Sequence, residues 1–268
     1  MLSSMRRLLI RPGAIGDLIV SLPALEFLKT EYLEVWVAEQ NVPLVRFADK
    51  VCSIGSTGLD MLEIEPSARL IERLRAFDSI VSWYGENRAE FRDAVTRLRL
   101  PFRFLPALPS ACHAVDFFLR QVDGQVGDLP YIACPNGLRE DFAVIHPFAS
   151  SPRKRWPLKR FRELAVRLPM PVRWCAGPEE PLEGAVRISD LYELACWLAR
   201  ARLFIGCDSG ISHLAAAVGT PVIALFGPTD PAVWSPRGPV VRVMEHMESL
   251  EAHDVLAAYN GLRTLCAI

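Results

Sequence analysis

The stretch Phe204-Ile205-Gly206-Cys207-Asp208-Ser209-Gly210-Ile211-Ser212-His213-Leu214-Ala215-Ala216-Ala217 limits the possible folds of this chain more than any other. An apolar run turns through a small polar corner into an Ala-rich segment, the pattern of a buried strand, a tight turn and a helix N-terminus. Asp208 or Ser209 can cap that helix, and Gly210 admits close approach of a ligand to the backbone. The free N–H groups and the positive end of the helix dipole form an anion site. The chain continues through Gly219-Thr220-Pro221-Val222-Ile223-Ala224-Leu225-Phe226-Gly227-Pro228-Thr229-Asp230-Pro231, a second strand ending in another loop of small residues. Two such loops side by side at the C-terminal ends of parallel strands suit a phosphate-bearing ligand.

The rest of the chain supports an α/β architecture around that unit. Arg7–Arg11, Glu34–Ala38, Lys50–Ile54, Ser79–Trp83 and Phe102–Leu105 read as strands. Helical patterns stand between them at Asp17–Thr30, Arg69–Phe77, Asn87–Arg97 and Ala111–Val122, the first with Ile19, Leu22, Leu25 and Leu28 on one face. After a segment rich in Gly, Asp, Pro and Asn, Asp123–Asp141, the alternation restarts. Strands are expected at Phe142–His146, Val172–Ala176, Leu203–Gly206 and Val240–Val243, and helices at Leu158–Leu168, Leu191–Ala201 and Glu245–Tyr259. Strands alternating with helices imply mostly parallel sheets covered on both faces. The expected division is two Rossmann-like halves, residues 1–135 and 136–268.

Composition narrows the function class. A net charge of -1 gives no support for nucleic-acid binding. The apolar run near Met1–Arg11 is too short for a signal peptide, and no segment has the roughly 18 consecutive apolar residues of a spanning helix. The chain is therefore expected in the cytoplasm. Its seven cysteines include no CxxC pair, which points to buried reduced thiols. No His, Cys and carboxylate cluster has metal-ligand spacing, so neither a metal nor another cofactor is expected.

Three further loops carry candidate chemistry. Arg11-Pro12-Gly13-Ala14-Ile15-Gly16-Asp17 follows the first strand and is neither GxGxxG nor a P-loop. Gly13 and Gly16 permit a tight turn with positive φ, and Asp17 falls near a helix N-terminus. There it is a capping carboxylate or, ionised at the mouth of the loop, a general base. His146 to Pro157 offers the hydroxyls of Ser150 and Ser151 and the cations Arg153, Lys154 and Arg155. Lys154 suits a phosphate as a point charge, and Arg153 or Arg155 suits bidentate contact, unless the loop is simply a solvated basic turn. Trp174-Cys175-Ala176-Gly177-Pro178-Glu179-Glu180 places two carboxylates at a strand end, where one can accept from ribose hydroxyls or remain surface charge. His213 lies one helical turn from Ser209 and reads first as a structural histidine.

Taken together, the Arg11–Asp17 loop with Ser21-Leu22-Pro23-Ala24-Leu25, the His146–Pro157 segment and the Asp208–Leu214 run through Phe226–Thr229 resemble the family 9 glycosyltransferases, the heptosyltransferase group. The resemblance implies a GT-B fold, with an acceptor bound by the first half and a nucleotide sugar by the second. It implies that the terminal helix packs back on the first half. On matching motif positions it implies Asp17 as catalytic base, with Gly13, Ala14 and Gly16 as the acceptor loop. Lys154 is then the diphosphate-binding lysine, with Ser150 and Ser151 as hydroxyl donors. Asp208, Ser209 and Gly210 lie at the donor diphosphate with His213 nearby, and Glu179 or Glu180 accepts from the ribose, Glu179 being taken as the site residue. The implied reaction is inverting, metal-independent transfer of a sugar, with heptose as the candidate that the group's name supplies, from a nucleotide diphosphate, ADP in particular, to a lipopolysaccharide-type or other cell-envelope glycan or glycolipid. Such an acceptor implies peripheral contact with the cytoplasmic face of the inner membrane. Relative to the family, the stretch between Pro178 and Leu191 is abbreviated, and no clear basic cluster marks the acceptor side. Arg97, Arg99 and Arg103 with Phe102 and Phe104 face an anionic acceptor or a membrane, or simply end a helix and line an edge strand. Two other functions use the same architecture: a nucleotide-sugar 2-epimerase, and a nucleotide-sugar-binding protein without activity.

Overall fold

The computed structural model describes residues 5–266 other than 111 and 136. The expected helix start at Ala111 and the expected boundary at Asn136 fall outside the described residues, as does the beginning of the Met1–Arg11 segment. The first half comprises β1 (Arg6–Arg11), α1 (Ile15–Phe27), β2 (Tyr32–Val37), β3 (Lys50–Ser53), α2 (Ala68–Arg75), β4 (Ser79–Ser82), α3 (Ala89–Arg97), β5 (Phe102–Phe104) and α4 (Ala114–Arg120). The second comprises β6 (Glu140–His146), α5 (Leu158–Arg167), β7 (Val172–Trp174), α6 (Leu191–Ala199), β8 (Ala201–Cys207), α7 (Gly210–Ala217), β9 (Val222–Leu225), α8 (Pro231–Trp234), β10 (Val241–Met244) and α9 (Ala252–Cys266).

The strands form two parallel five-stranded sheets, ordered β3-β2-β1-β4-β5 and β10-β9-β8-β6-β7. Leu9 of β1 stands opposite Val35 and Val81, and Val144 of β6 opposite Phe204 and Arg173. This is the α/β arrangement of two parallel sheets read from the alternation, and it fits the GT-B type that the resemblance implied. In each sheet the order reverses once, between β1 and β4 and between β6 and β8. In open α/β sheets ligands bind outside the carboxyl ends of the strands at such reversals. The loops after β1, β6 and β8 therefore occupy the positions that a ligand would use.

Helices α1 and α4 on the first sheet and α6 and α7 on the second face one another, and their apolar residues join one continuous core with both sheets. Every residue of α1 from Leu18 to Leu25 is buried, not the single face that its periodicity suggested, because α7 covers the other side. A bidentate ion pair also ties the halves: Arg237 Nη1 and Nη2 donate to Asp116 Oδ1 and Oδ2 of α4 at 2.7 and 2.5 Å. The Arg237 hydrogen bonds hold the Asp116 carboxyl down to about 2, with the Gly127 N–H adding to the effect. A carboxylate depressed below its ordinary 3.8 stabilises the fold at pH values above that figure, and this contribution fades as the pH falls towards 2. Because the pair is partly open to solvent, it is expected to be worth about 1 kcal/mol at neutral pH. Thermal melts should show Asp116→Asn less stable than the native protein at pH 7 and the gap closing by about pH 2; a constant gap would contradict this.

The terminal helix differs from its expected form in two ways. It begins at Ala252, seven residues later than read, because Glu245–Glu251 forms a turn in which His246 has a φ of 56°. Its apolar residues Val255, Tyr259 and Leu262 pack with α5 and the second sheet, not back against the first half. Trp156, on the loop before α5, secures this arrangement by donating from Nε1 to the Leu250 carbonyl.

Candidate active site

The turn after β1 is built to present a carboxylate. Gly13 has a φ of 130°, and a Cβ there would lie 2.8 Å from the Asp17 Cβ. Only glycine both adopts that conformation without strain and leaves the Asp17 side chain its place. The Ala14 N–H donates to Asp17 Oδ2 at 2.9 Å, so the capping role is present. Oδ1 remains, 3.9 Å from Arg11 Nη2, and the side chain is 37% exposed. Thus Asp17 caps α1 and still offers an oxygen to the cavity.

Two buried residues hold this turn. Arg11, 3% exposed, donates to the carbonyls of Pro12 and Asp17 and to Ser21 Oγ, and lies 4.6 Å over the Phe118 ring. Burial brings its guanidinium down to about 10, with Asp17 opposing the shift, so it keeps its charge at pH 7. Asn41, fully buried, donates from Nδ2 to the Gly13 carbonyl at 3.0 Å. Arg11 heads the Arg11–Asp17 motif but gave no sign of this bracing role, and Asn41 lies in a loop 24 residues beyond Asp17 whose contact with it is purely tertiary.

The N-terminus of α7 meets the N-terminus of α1. Gly210 faces the cavities, and its missing side chain also admits α1. A Cβ on Gly210 would lie 2.8 Å from the Ile15 Cβ and 3.1 Å from the Gly16 nitrogen. Gly16 is correspondingly a helical residue, not a positive-φ turn position, and a Cβ there would reach the His213 ring at 3.4 Å. Two positive helix ends therefore converge on one cavity. Gly210→Ala is expected to cost about 1 to 3 kcal/mol through overpacking, visible as a lowered melting temperature; an unchanged melt would show that the helices part freely.

That cavity, of about 240 Å³, is lined by Ala14, Asp17, Lys154, Asp208, His213 and Trp234, among others. Lys154 donates from Nζ to Asp208 Oδ2 at 2.7 Å, and Asp208 is almost buried. The Asp208 carboxylate therefore positions Lys154 instead of capping α7. Ser209 occupies the N-cap position, but its hydroxyl lies 3.4 Å from Ser212 Oγ and makes no capping bond. His213 is buried, and burial pushes its imidazole down to about 4, against the pull of Asp208 and Asp17. It is a neutral ring at pH 7, with access to the cavity. Thr229 and Trp234 complete the wall; Trp234 follows Pro231-Ala232-Val233 as an ordinary short-helix residue, without a signal in the sequence.

An adjoining cavity of about 400 Å³ has apolar walls that include Ile188, Leu191, Leu194 and Ile211. Ser150, Ser209 and Gly210 line both cavities and form their common wall. Of the two neighbouring glutamates, Glu180 lines the second cavity, whereas Glu179 is exposed and lines neither. Glu179 therefore stands outside the site expected for it, because the turn after β7 folds back so that Glu180 Oε2 accepts from the Gly177 N–H at 2.6 Å and from His146 Nε2 at 3.2 Å. Burial alone would raise this carboxyl, but those two hydrogen bonds outweigh it and hold it below the usual range. Ser151 also lies outside both cavities, accepting from the Arg153 N–H to cap the turn Pro152–Lys154. Arg103 is on edge strand β5 and donates to the Gln121 carbonyl, and Arg99 sits in a turn with φ of 51° after α3. Cys175 and Cys207 are buried thiols pushed up to about 12 by burial, while Cys52, Cys112, Cys134 and Cys196 are only half-buried. Among the described residues no helix is long and apolar enough to cross a membrane, and no group of three His, Cys, Asp or Glu is placed to hold a metal ion.

Comparison with known proteins identifies the family and the fold. The sequence model for glycosyltransferase family 9 (heptosyltransferase) matches residues 120–257. The chain is 33% identical over 163 residues to lipopolysaccharide heptosyltransferase 3 of Escherichia coli K12, covering 47% of each protein. It is 31% identical over 122 residues to lipopolysaccharide heptosyltransferase 1 of Salmonella typhimurium LT2, covering 38% of this chain and 37% of that one. The chain thus spans about half the length of the first of these curated relatives and less of the second. A family 9 glycosyl transferase from Veillonella parvula superposes with a TM-score of 0.76 at 18% identity, covering 98% of both chains. The E. coli heptosyltransferase WaaC with ADP does so with a TM-score of 0.71 at 20% identity, covering 96% of this chain and 100% of that one. At those identities the superpositions establish the shared fold.

Proposed function

The chain belongs to glycosyltransferase family 9, and from that premise we propose that it is an inverting, metal-independent glycosyltransferase using an ADP-linked sugar, with heptose as the sugar and a lipopolysaccharide-type glycan or glycolipid as acceptor. The observation that carries this reading is the pair of cavities joined at Ser150, Ser209 and Gly210. An apolar chamber suits a nucleoside base, the common wall a diphosphate, and the smaller chamber a sugar facing Asp17. The same heptosyl donor class is bound by a structural neighbour, E. coli WaaC, solved with ADP-2-deoxy-2-fluoro heptose.

In this account Glu180 receives the ribose. Its Oε2 is occupied by Gly177 and His146, and among the described residues Oε1 has no partner, so it is available to two vicinal hydroxyls. The N–H groups of Gly210 and Ile211, at the start of α7, and the Ser150 hydroxyl hold the diphosphate. Lys154 neutralises the charge that accumulates on the departing phosphate. Asp17 takes the proton of the acceptor hydroxyl as its oxygen attacks the anomeric carbon from the face opposite the diphosphate. The sugar–phosphate bond breaks, its electron pair leaves with ADP, and the proton ends on Asp17. Neutral His213 orients the sugar by hydrogen bonding without adding charge. An acceptor carried on lipid entails contact with the cytoplasmic face of the inner membrane.

Calorimetric titration of ADP, UDP, GDP and CMP in the presence of EDTA tests the donor assignment. Selective binding of ADP, weakened by Glu180→Ala, is expected. A preference for UDP would move the donor class and favour the epimerase, and an absence of nucleotide binding would sink the donor site.

A further inference from the structure

The first half carries a cavity of about 510 Å³ outside the site described above, walled by Arg6, Tyr32, Glu34, Lys50, Arg69 and Arg73 with several hydroxyls. It exists because the connection from β2 to β3 contains only a tight turn, Glu39–Leu44, which packs toward α6 on the inner face. The outer face of β2 and β3 is left partly uncovered beside α2.

Four cations line this groove against one carboxylate, and that carboxylate is already satisfied. Glu34, with its side chain 3% exposed, accepts from Trp36 Nε1 at 2.7 Å, from Tyr32 OH at 3.4 Å and from Arg73 Nη2, and lies 3.6 Å from Lys50 Nζ. Donors are left over. Among the described residues, both Nη atoms of Arg6, Nε and Nη1 of Arg73 and the whole Arg69 guanidinium have no hydrogen-bond partner in the chain. Two of these groups are also fixed in place. The Arg6 guanidinium lies 4.0 Å over the Tyr32 ring with Nε bound to the Ala76 carbonyl, and that of Arg73 lies 4.7 Å over the Trp36 ring. Planar cations stacked on aromatic faces, with their N–H edges open, are preorganised for bidentate contact with phosphate.

We infer that this groove is a binding site for a phosphate monoester or a comparably compact, doubly charged anion. It is separate from the donor site: Arg6 and Tyr32 open β1 and β2, while the Asp17 turn follows the far end of β1, a six-residue strand about 20 Å long. A bound anion there leaves the catalytic cavity open. The ligand is either a soluble phosphate ester or a lipid headgroup bearing a terminal phosphate.

Inorganic phosphate titrated calorimetrically, and flotation with phosphatidylcholine vesicles with and without phosphatidic acid, distinguish these sources. Each is run on the native protein, on Lys50→Ala/Arg69→Ala and on Arg69→Glu. Both side chains are exposed, and Arg69→Glu leaves the partners of Glu34 untouched, so folding is preserved and a melt confirms it. Loss of at least about tenfold in affinity for either probe in both variants is the expected result. Response to free phosphate indicates a soluble ester, and response to vesicles alone a headgroup. Absence of binding by the native protein, or binding that both variants retain unchanged, overturns the proposal.

Discussion

Asp17→Asn is expected to lower the rate of sugar transfer by about 10² to 10⁴ while leaving ADP affinity unchanged. The substitution preserves shape, and the amide oxygen can still accept the Ala14 N–H that Oδ2 now receives at 2.9 Å. What it removes is a group able to take a proton, together with the negative charge 3.9 Å from the Arg11 guanidinium. Arg11 is buried and charged, so its carboxylate partner is lost without replacement; a modest drop in melting temperature is part of the expected result. The measurement is single-turnover transfer alongside ADP calorimetry. An Asn variant with native turnover would return Asp17 to a purely capping role.

Lys154→Ala is expected to reduce ADP affinity by about 10- to 100-fold, the value of a charge-assisted hydrogen bond. It should lower turnover by a further factor of about 10² to 10³, as loss of a donor aimed at developing negative charge does. The geometry gives a second reason for a large effect. Lys154 is bound to Asp208 at 2.7 Å, and Asp208 has only 8% of its side chain exposed. Without the lysine, an uncompensated carboxylate stands where the diphosphate must bind. The double variant Lys154→Ala/Asp208→Asn removes that repulsion and should therefore bind ADP better than Lys154→Ala alone. Equal affinity in the native protein and Lys154→Ala would show that the diphosphate lies elsewhere.

The sequence carried the sheets and their loops because buried parallel strands are continuous apolar runs and turns are punctuated by Gly, Pro and Asp. Val222–Leu225, Phe142–His146 and the Asp17 turn were legible for that reason. Pairings between halves were not. The second duty of Gly210, making room for Ile15 and Gly16, was hidden because those neighbours lie nearly 200 positions earlier. Periodicity in α9 established a helix but could not say which sheet it covers; Val255, Tyr259 and Leu262 fit the second. Glu179 and Glu180 differ by one position, and only the fold of their turn decides which faces the cavity. Asp208 was readable as a polar corner, yet its partnership with Lys154 spans 54 residues and changes its role from capping to holding a cation. Arg11 and Asn41, which fix the Asp17 turn, act through backbone carbonyls that no sequence pattern marks.

The central claim is that the joined cavities hold an ADP-sugar whose sugar passes to an acceptor activated by Asp17. The most direct test incubates the protein with ADP-heptose and a heptose-deficient lipopolysaccharide core, with EDTA present, and follows the acceptor by mass spectrometry. Addition of one heptose by the native protein and none by Asp17→Asn is the predicted result. An acceptor left unmodified by the native protein, or modified equally by both, would contradict it.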